Sequence, residues 1–139
     1  MASFALPAGY PAMPSLQPGP ATLALHWHER IRQGIPASLF YEMSVPGLLP
    51  RPALAQVVFG DAPAPRSKAK LLEVEQANVL YRVLQVLAGA SAVFKGDTKL
   101  AVAWLVSPRP ELRGRVPLAL CGTSMGLEYV RTALGRIAG

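Results

Sequence analysis

The chain has 139 residues, 51% of them hydrophobic, and carries fourteen Lys and Arg against eight Asp and Glu for a net charge of +6. That length suits one domain, and the single cysteine, Cys121, excludes an intrachain disulfide and a cysteine-based metal site. No apolar run approaches the roughly 18 residues that a membrane span needs, and the opening MASFALPAGYPAMPS lacks the basic start of a secretory leader. A cytoplasmic protein without a membrane partner is the expectation.

The first twenty residues carry Pro7, Pro11, Pro14, Pro18 and Pro20 and no charge. Proline this dense removes backbone donors and blocks helix. Residues 1–20 are therefore expected to form a flexible or extended arm, whose Phe4, Leu6, Tyr10 and Leu16 could dock on another surface. TLALHWHERIRQG reads as a helix that Thr22 can cap and that Gly34 follows, with Leu23, Trp27 and Ile31 on one face. The next helix can open at Pro36, a favoured first position, and Pro46 and Gly47 stop it. A third starts near Pro52, with Ala53, Leu54, Val57 and Val58 as its core face and Gly60 at its end.

DAPAP is a turn, and RSKAKLL then suggests a short basic helix, although Pro63 and Pro65 crowd its entry. From Glu73 to Val93 the pattern predicts a long helix. Leu80, Leu84 and Leu87 line one stripe, and Val79, Val83 and Val86 widen it into a face broad enough for more than one neighbour. Asp97 can cap a helix through Val106 that turns Leu100, Ala101, Trp104 and Leu105 inward, and Pro108 and Pro110 forbid its continuation. Pro117 can open a short helical turn, and Thr123 can cap a last helix whose face is Leu127, Val130, Leu134 and Ile137. No stretch alternates with the two-residue period of a strand, so the fold class expected is all-α.

Catalytic chemistry finds no constellation in these residues, and an enzyme is not expected. His26 and His28 stand two apart and point to different sides of a helix, and no further ligands stand at helpful spacing, so no metal is expected. GTSMG lacks the lysine and the preceding strand of a phosphate loop, and no cofactor is expected. Cys121 reads as a small buried apolar residue. Two features point to binding. The segment Pro52–Leu72 resembles a helix-turn-helix in layout, with Arg66, Ser67, Lys68 and Lys70 as candidates for phosphates and base edges; a solvated basic helix is the other reading. Arg113-Gly114-Arg115 forms a second group. Gly114 can supply a positive φ, and the arginines either brace nearby carbonyls or meet a partner.

The order Trp104-Leu105, Pro108, LRGRVPL, Thr123, Gly126, Val130 and LGRI resembles the Xre/MbcA/ParS-type toxin-binding domain over about Phe94–Ile137. HERIRQGIPASLF is similar to the N-terminal helical segment of Xre antitoxins paired with RES-domain toxins, which extends the likeness to residues 26–139. In this pattern Trp104, Pro108, Gly114, Arg115, Pro117, Thr123 and Gly126 are the structural motif. The basic segment departs from the family, being lysine-rich with Ala77 where a serine is usual, and Arg113 replaces a glycine or small residue.

Beyond the proline-rich arm at 1–20, which has no counterpart in the family, the resemblance implies two parts: an N-terminal helical region with a degenerate helix-turn-helix at 21–72 and a helical toxin-binding domain at 73–139. It implies an antitoxin that binds and inhibits a RES-domain, NAD-consuming toxin, dimerises, forms a hetero-oligomer with that toxin and represses its own operon by binding operator DNA. Arg131, Leu134, Arg136, Ile137 and Gly139 are the residues expected to meet the toxin. A carboxylate at Gly139 could compete for cations in a cleft that receives NAD phosphates. A DNA-binding repressor, or an adaptor or immunity protein built on the same domain, is the alternative.

Overall fold

A computed structural model describes residues 4–17 and 19–138, and among these no strand forms. Seven helices follow in chain order: α1 (Ala21–Gln33), α2 (Ser38–Met43), α3 (Arg51–Phe59), α4 (Val74–Val93), α5 (Thr98–Leu105), α6 (Pro117–Leu120) and α7 (Ser124–Ala138). A 3-10 turn at Pro110–Leu112 stands between α5 and α6. The all-α expectation holds.

α4 is the axis of the molecule. Val79, Leu80, Val83, Leu84, Val86 and Leu87 are all buried along it, and the helix packs against α1, α3, α5 and α7. Its broad apolar face therefore serves several neighbours, as its width requires. Gln76 Oε1 accepts the Glu73 N–H at 2.9 Å and fixes the start. Asp97 caps α5 by accepting the Leu100 N–H at 3.1 Å, and Thr123 caps α7 by accepting the Gly126 N–H at 3.0 Å. Each satisfies a donor that the first helical turn leaves free.

The N-terminal helices differ in detail from the sequence reading. α1 begins at Ala21 after Pro20, and no side chain caps it, so Thr22 lies inside the first turn. α2 begins at Ser38, because Pro36 is taken by an isolated antiparallel bridge with Leu71. That bridge also explains the largest departure. Residues 66–72 form turns and no helix. The Lys70 and Lys68 carbonyls accept the Ala37 and Ser38 N–H groups at 2.7 and 2.8 Å, and the Leu72 N–H donates to Ile35 at 2.8 Å. These carbonyls and amides are bound to the 35–38 segment across the chain, which leaves nothing for a helical ladder.

The described part of the proline-rich arm forms no helix and is seated against the helices. Leu16 is 3% exposed. Trp27 Nε1 donates to the Ala12 carbonyl at 2.8 Å, Gln85 Nε2 to Ser15 at 3.2 Å and Arg131 Nε to Leu16 at 2.8 Å. Tyr10 stacks at a tilt on Trp27 and receives the Arg30 guanidinium on its face. The arm is thus a strap across α1, α4 and α7. Among the described residues no helix is long and apolar enough to cross a membrane.

Candidate functional site

The stretch from Trp104 to the end of α7 is built around one tight turn. Pro108 follows α5, and the chain then bends so that the Arg109 N–H donates to the Arg115 carbonyl at 3.0 Å and the Gly114 N–H to Arg109 at 2.8 Å. Gly114 has φ +81° and Arg113 φ +56°, so the expected positive φ is at Gly114 and a second, less comfortable one precedes it. Leu112 is buried under the turn. Trp104 is buried at 4%, as expected, and its Nε1 lies beside Glu111 without a hydrogen-bond partner. Glu111 instead accepts from Arg109 Nε at 2.7 Å. That hydrogen bond, ahead of the opposing effect of desolvation, holds its carboxyl below the usual glutamate range.

The bracing role anticipated for the arginines around Gly114 belongs to another residue. Arg82, on α4, donates Nε to the Cys121 carbonyl at 2.7 Å and a terminal nitrogen to Gly122 at 3.1 Å. It also pairs with Glu75 at 3.1 Å. The guanidinium thus holds the C-cap carbonyl of α6 and the one after it, at the end of a helix where a cation is favoured. Arg113 and Arg115 are exposed, and neither side chain has a hydrogen-bond or carboxylate partner among the described residues. For Arg115 the expected structural role therefore falls on its carbonyl alone. Sequence reasoning missed Arg82 because its partners lie about forty positions away.

Pro117 opens α6, and Thr123 opens the entry to α7. Gly126 has the closest approach among the described glycines: a Cβ there would stand 1.9 Å from the Leu120 carbonyl oxygen. The short α6 can therefore run directly under the first turn of α7. Cys121 is fully buried with its thiol directed at the Pro117 carbonyl, and burial pushes its pKa up to about 12. A thiol in that state is no nucleophile.

α7 sorts the residues expected to meet a toxin. Leu127, Val130 and Leu134 are buried, so Leu134 supports the core and is not presented to a partner. Arg131 is held by the Leu16 carbonyl and pairs with Glu128. Arg136 is exposed, and Ile137 is 41% exposed at the end of the same helix. Five residues of helix turn about 140°, so Arg131 and Arg136 point to different sides and do not form one cationic face. Gly139 lies outside the described residues.

The outward face of α7 joins Arg136 to two residues that sequence reading passed over, Met125, 77% exposed, and Tyr129. The signal was available in the four-residue spacing of Met125 and Tyr129, opposite the Leu127–Val130–Leu134 face.

The candidate nucleic-acid residues are not on a recognition helix. Arg66, Ser67, Lys68 and Lys70 are exposed in the turn segment. Lys68 lies over the Tyr41 ring at 5.7 Å, and the Tyr41 hydroxyl donates to Pro65 at 2.6 Å. His26 and His28 are both exposed on α1. Among the described residues no group of three or more His, Cys, Asp or Glu side chains converges on a metal-sized site.

A comparison with curated proteins finds no match. Residues 89–139, which run from the last turns of α4 through α5, the 109–115 turn and α6 to α7, match the family described as the antitoxin Xre/MbcA/ParS C-terminal toxin-binding domain.

Proposed function

We propose that this protein is the antitoxin of a toxin–antitoxin pair and that it inhibits a RES-domain, NAD-degrading toxin by direct binding. The observation that carries the reading is the family match over residues 89–139. It covers the elements that leave cationic and apolar side chains uncovered on one short helical unit. Met125, Tyr129, Arg136 and Ile137 on α7 supply an aromatic, a methionine and an arginine, the residue types enriched where proteins bind each other.

The test is NAD consumption by the product of the neighbouring gene, with and without this protein at stoichiometric excess. Inhibition is expected, and unchanged NAD loss would sink the proposal. Removing Arg136–Gly139 is expected to weaken inhibition by about tenfold, while the melting temperature falls by no more than a few degrees, since Arg136 and Ile137 carry little of the core. Equal inhibition by the shortened chain would take the end of α7 out of the interface.

Operator binding and autorepression belong to the same proposal. Without a recognition helix at 66–72, the proposed operator contact is to phosphates, through exposed Arg66, Lys68 and Lys70. Their replacement by alanine is expected to reduce the salt slope of operator binding by about 1 for each phosphate left without its cation. A slope that does not move would count against this part.

A further inference from the structure

α3 was expected to bury Ala53, Leu54, Val57 and Val58. Leu54 and Val58 are buried, but Ala53 is exposed and Val57 is only half-buried. The two uncovered residues form one wall of an open groove of about 390 Å³, and Val106, Val116 and Ala119 form the opposite side. Among the described residues Gln56 is the only polar side chain on the lining, and no acid lines it. A small-molecule site of this size would carry several convergent polar groups to fix orientation; this groove has almost none. It suits apolar side chains delivered by another polypeptide.

The chain that leads into the groove wall supplies the charge. The turn that carries Arg113 and Arg115 runs straight into Val116 of the groove wall, and both guanidinium groups are exposed without a partner among the described residues. Arg109, the third arginine of the turn, is neutralised by Glu111. An apolar trough beside two free cations is complementary to a segment with apolar residues flanked by carboxylates.

We infer that the α3/α6 groove and the Arg113–Arg115 turn form a docking site for an acidic, apolar segment of the toxin, separate from the end of α7. The inference rests on the antitoxin reading for the identity of the partner. The segment that matches the toxin-binding family provides Val106, Val116, Ala119 and both of these arginines, whereas α3 lies outside it. The N-terminal half therefore completes the site, and the matched segment alone would present only one wall.

The test uses the full chain and the purified product of the neighbouring gene, with binding followed by calorimetry and NAD loss measured in parallel. Ala53→Glu and Ala119→Glu change exposed positions, and circular dichroism melting checks that each variant stays folded. Each is expected to weaken binding by about tenfold or more, because a carboxylate in the trough must be desolvated when apolar side chains dock and repels the acids that flank them. The double charge reversal Arg113→Glu/Arg115→Glu is expected to weaken binding strongly at about 50 mM salt and less at about 300 mM, as screened charges require. Binding within twofold of the unsubstituted chain for all three variants overturns the inference and leaves the antitoxin reading intact. Failure of the unsubstituted chain to bind or inhibit removes that reading and the inference with it. Light scattering of the protein alone decides the remaining occupant: a dimer that Ala119→Glu dissociates would put a second copy in the groove and overturn the toxin assignment.

Discussion

Gly126 is the residue with the least freedom. The atom a methyl group would meet is a backbone carbonyl oxygen at 1.9 Å, which cannot rotate away as a side chain can. Gly126→Ala is expected to cost about 3 kcal/mol or more, from forced separation of α6 and α7. Gly135, further along the same helix, has nothing within 4 Å of a Cβ. Gly135→Ala should therefore stabilise by about 0.5–1 kcal/mol through helix propensity. Urea unfolding of the two variants measures the contrast, and equal effects would mean that the α6–α7 crossing yields readily. The sequence suggested Gly126 only through its place in a family pattern. Nothing in GTSMG itself says that one glycine faces a carbonyl at close range and the other does not. Arg113 is a similar case, since a residue with a Cβ at φ +56° leaves no trace in its chemical identity.

At the scale of elements, the 109–115 turn is held partly by charge, and that part depends on pH. Glu111 has a pKa lowered in the folded state, chiefly by the Arg109 hydrogen bond. The unfolded chain binds the proton more readily, so the pair contributes stability above the ordinary glutamate pKa of about 4.3 and loses it as pH falls through the lower folded value. Glu111→Gln should lower the urea midpoint at pH 7, and the gap from the unsubstituted protein should narrow as pH falls below the ordinary glutamate range. A gap that persists unchanged at pH 3 would show that the pairing is steric and not ionic. Elements with their own local signals were legible: the apolar width of α4, the caps at Asp97 and Thr123, and the prolines that bound α5 and α6. Residues 66–72 were not, because their carbonyls and amides are claimed by residues 35–38, about thirty positions away. A short segment with two prolines at its entry had little intrinsic helicity with which to resist that pairing. The candidate site divided in the same way. Trp104 and Gly114 were readable from local chemistry, whereas the roles of Arg82 and of the uncovered face of α3 depend on which distant elements come to lie beside them.

The whole molecule is tied together by the strap, and that tie has a specific seat. Leu16 lies where α4 has Gly89 in place of a larger residue: a Cβ on Gly89 would stand 2.6 Å from Leu16 Cδ2 and 2.9 Å from its Cβ. The Leu16 carbonyl receives Arg131 of α7, and the neighbouring Ser15 carbonyl receives Gln85 of α4. One turn of extended chain therefore joins residues more than a hundred positions apart. Leu16→Ala is expected to cost about 2–3 kcal/mol from diminished burial and the cavity it leaves. Gly89→Ala should cost about 1–3 kcal/mol in the unsubstituted protein, because the new methyl group displaces the leucine. In the Leu16→Ala background the obstruction at Cδ2 is gone and only the Cβ contact at 2.9 Å remains, so the same change should cost little, the residual crowding being offset by the about 1 kcal/mol by which alanine favours the helix over glycine. The two substitutions should thus couple by about 1–2 kcal/mol in a double-mutant cycle followed by urea unfolding. Additive effects would mean that Leu16 does not occupy the Gly89 slot in solution. The strap holds Arg131 and not the last turn of α7, so Leu16→Ala should leave the proposed inhibition through Arg136 and Ile137 largely unchanged at temperatures where the protein remains folded.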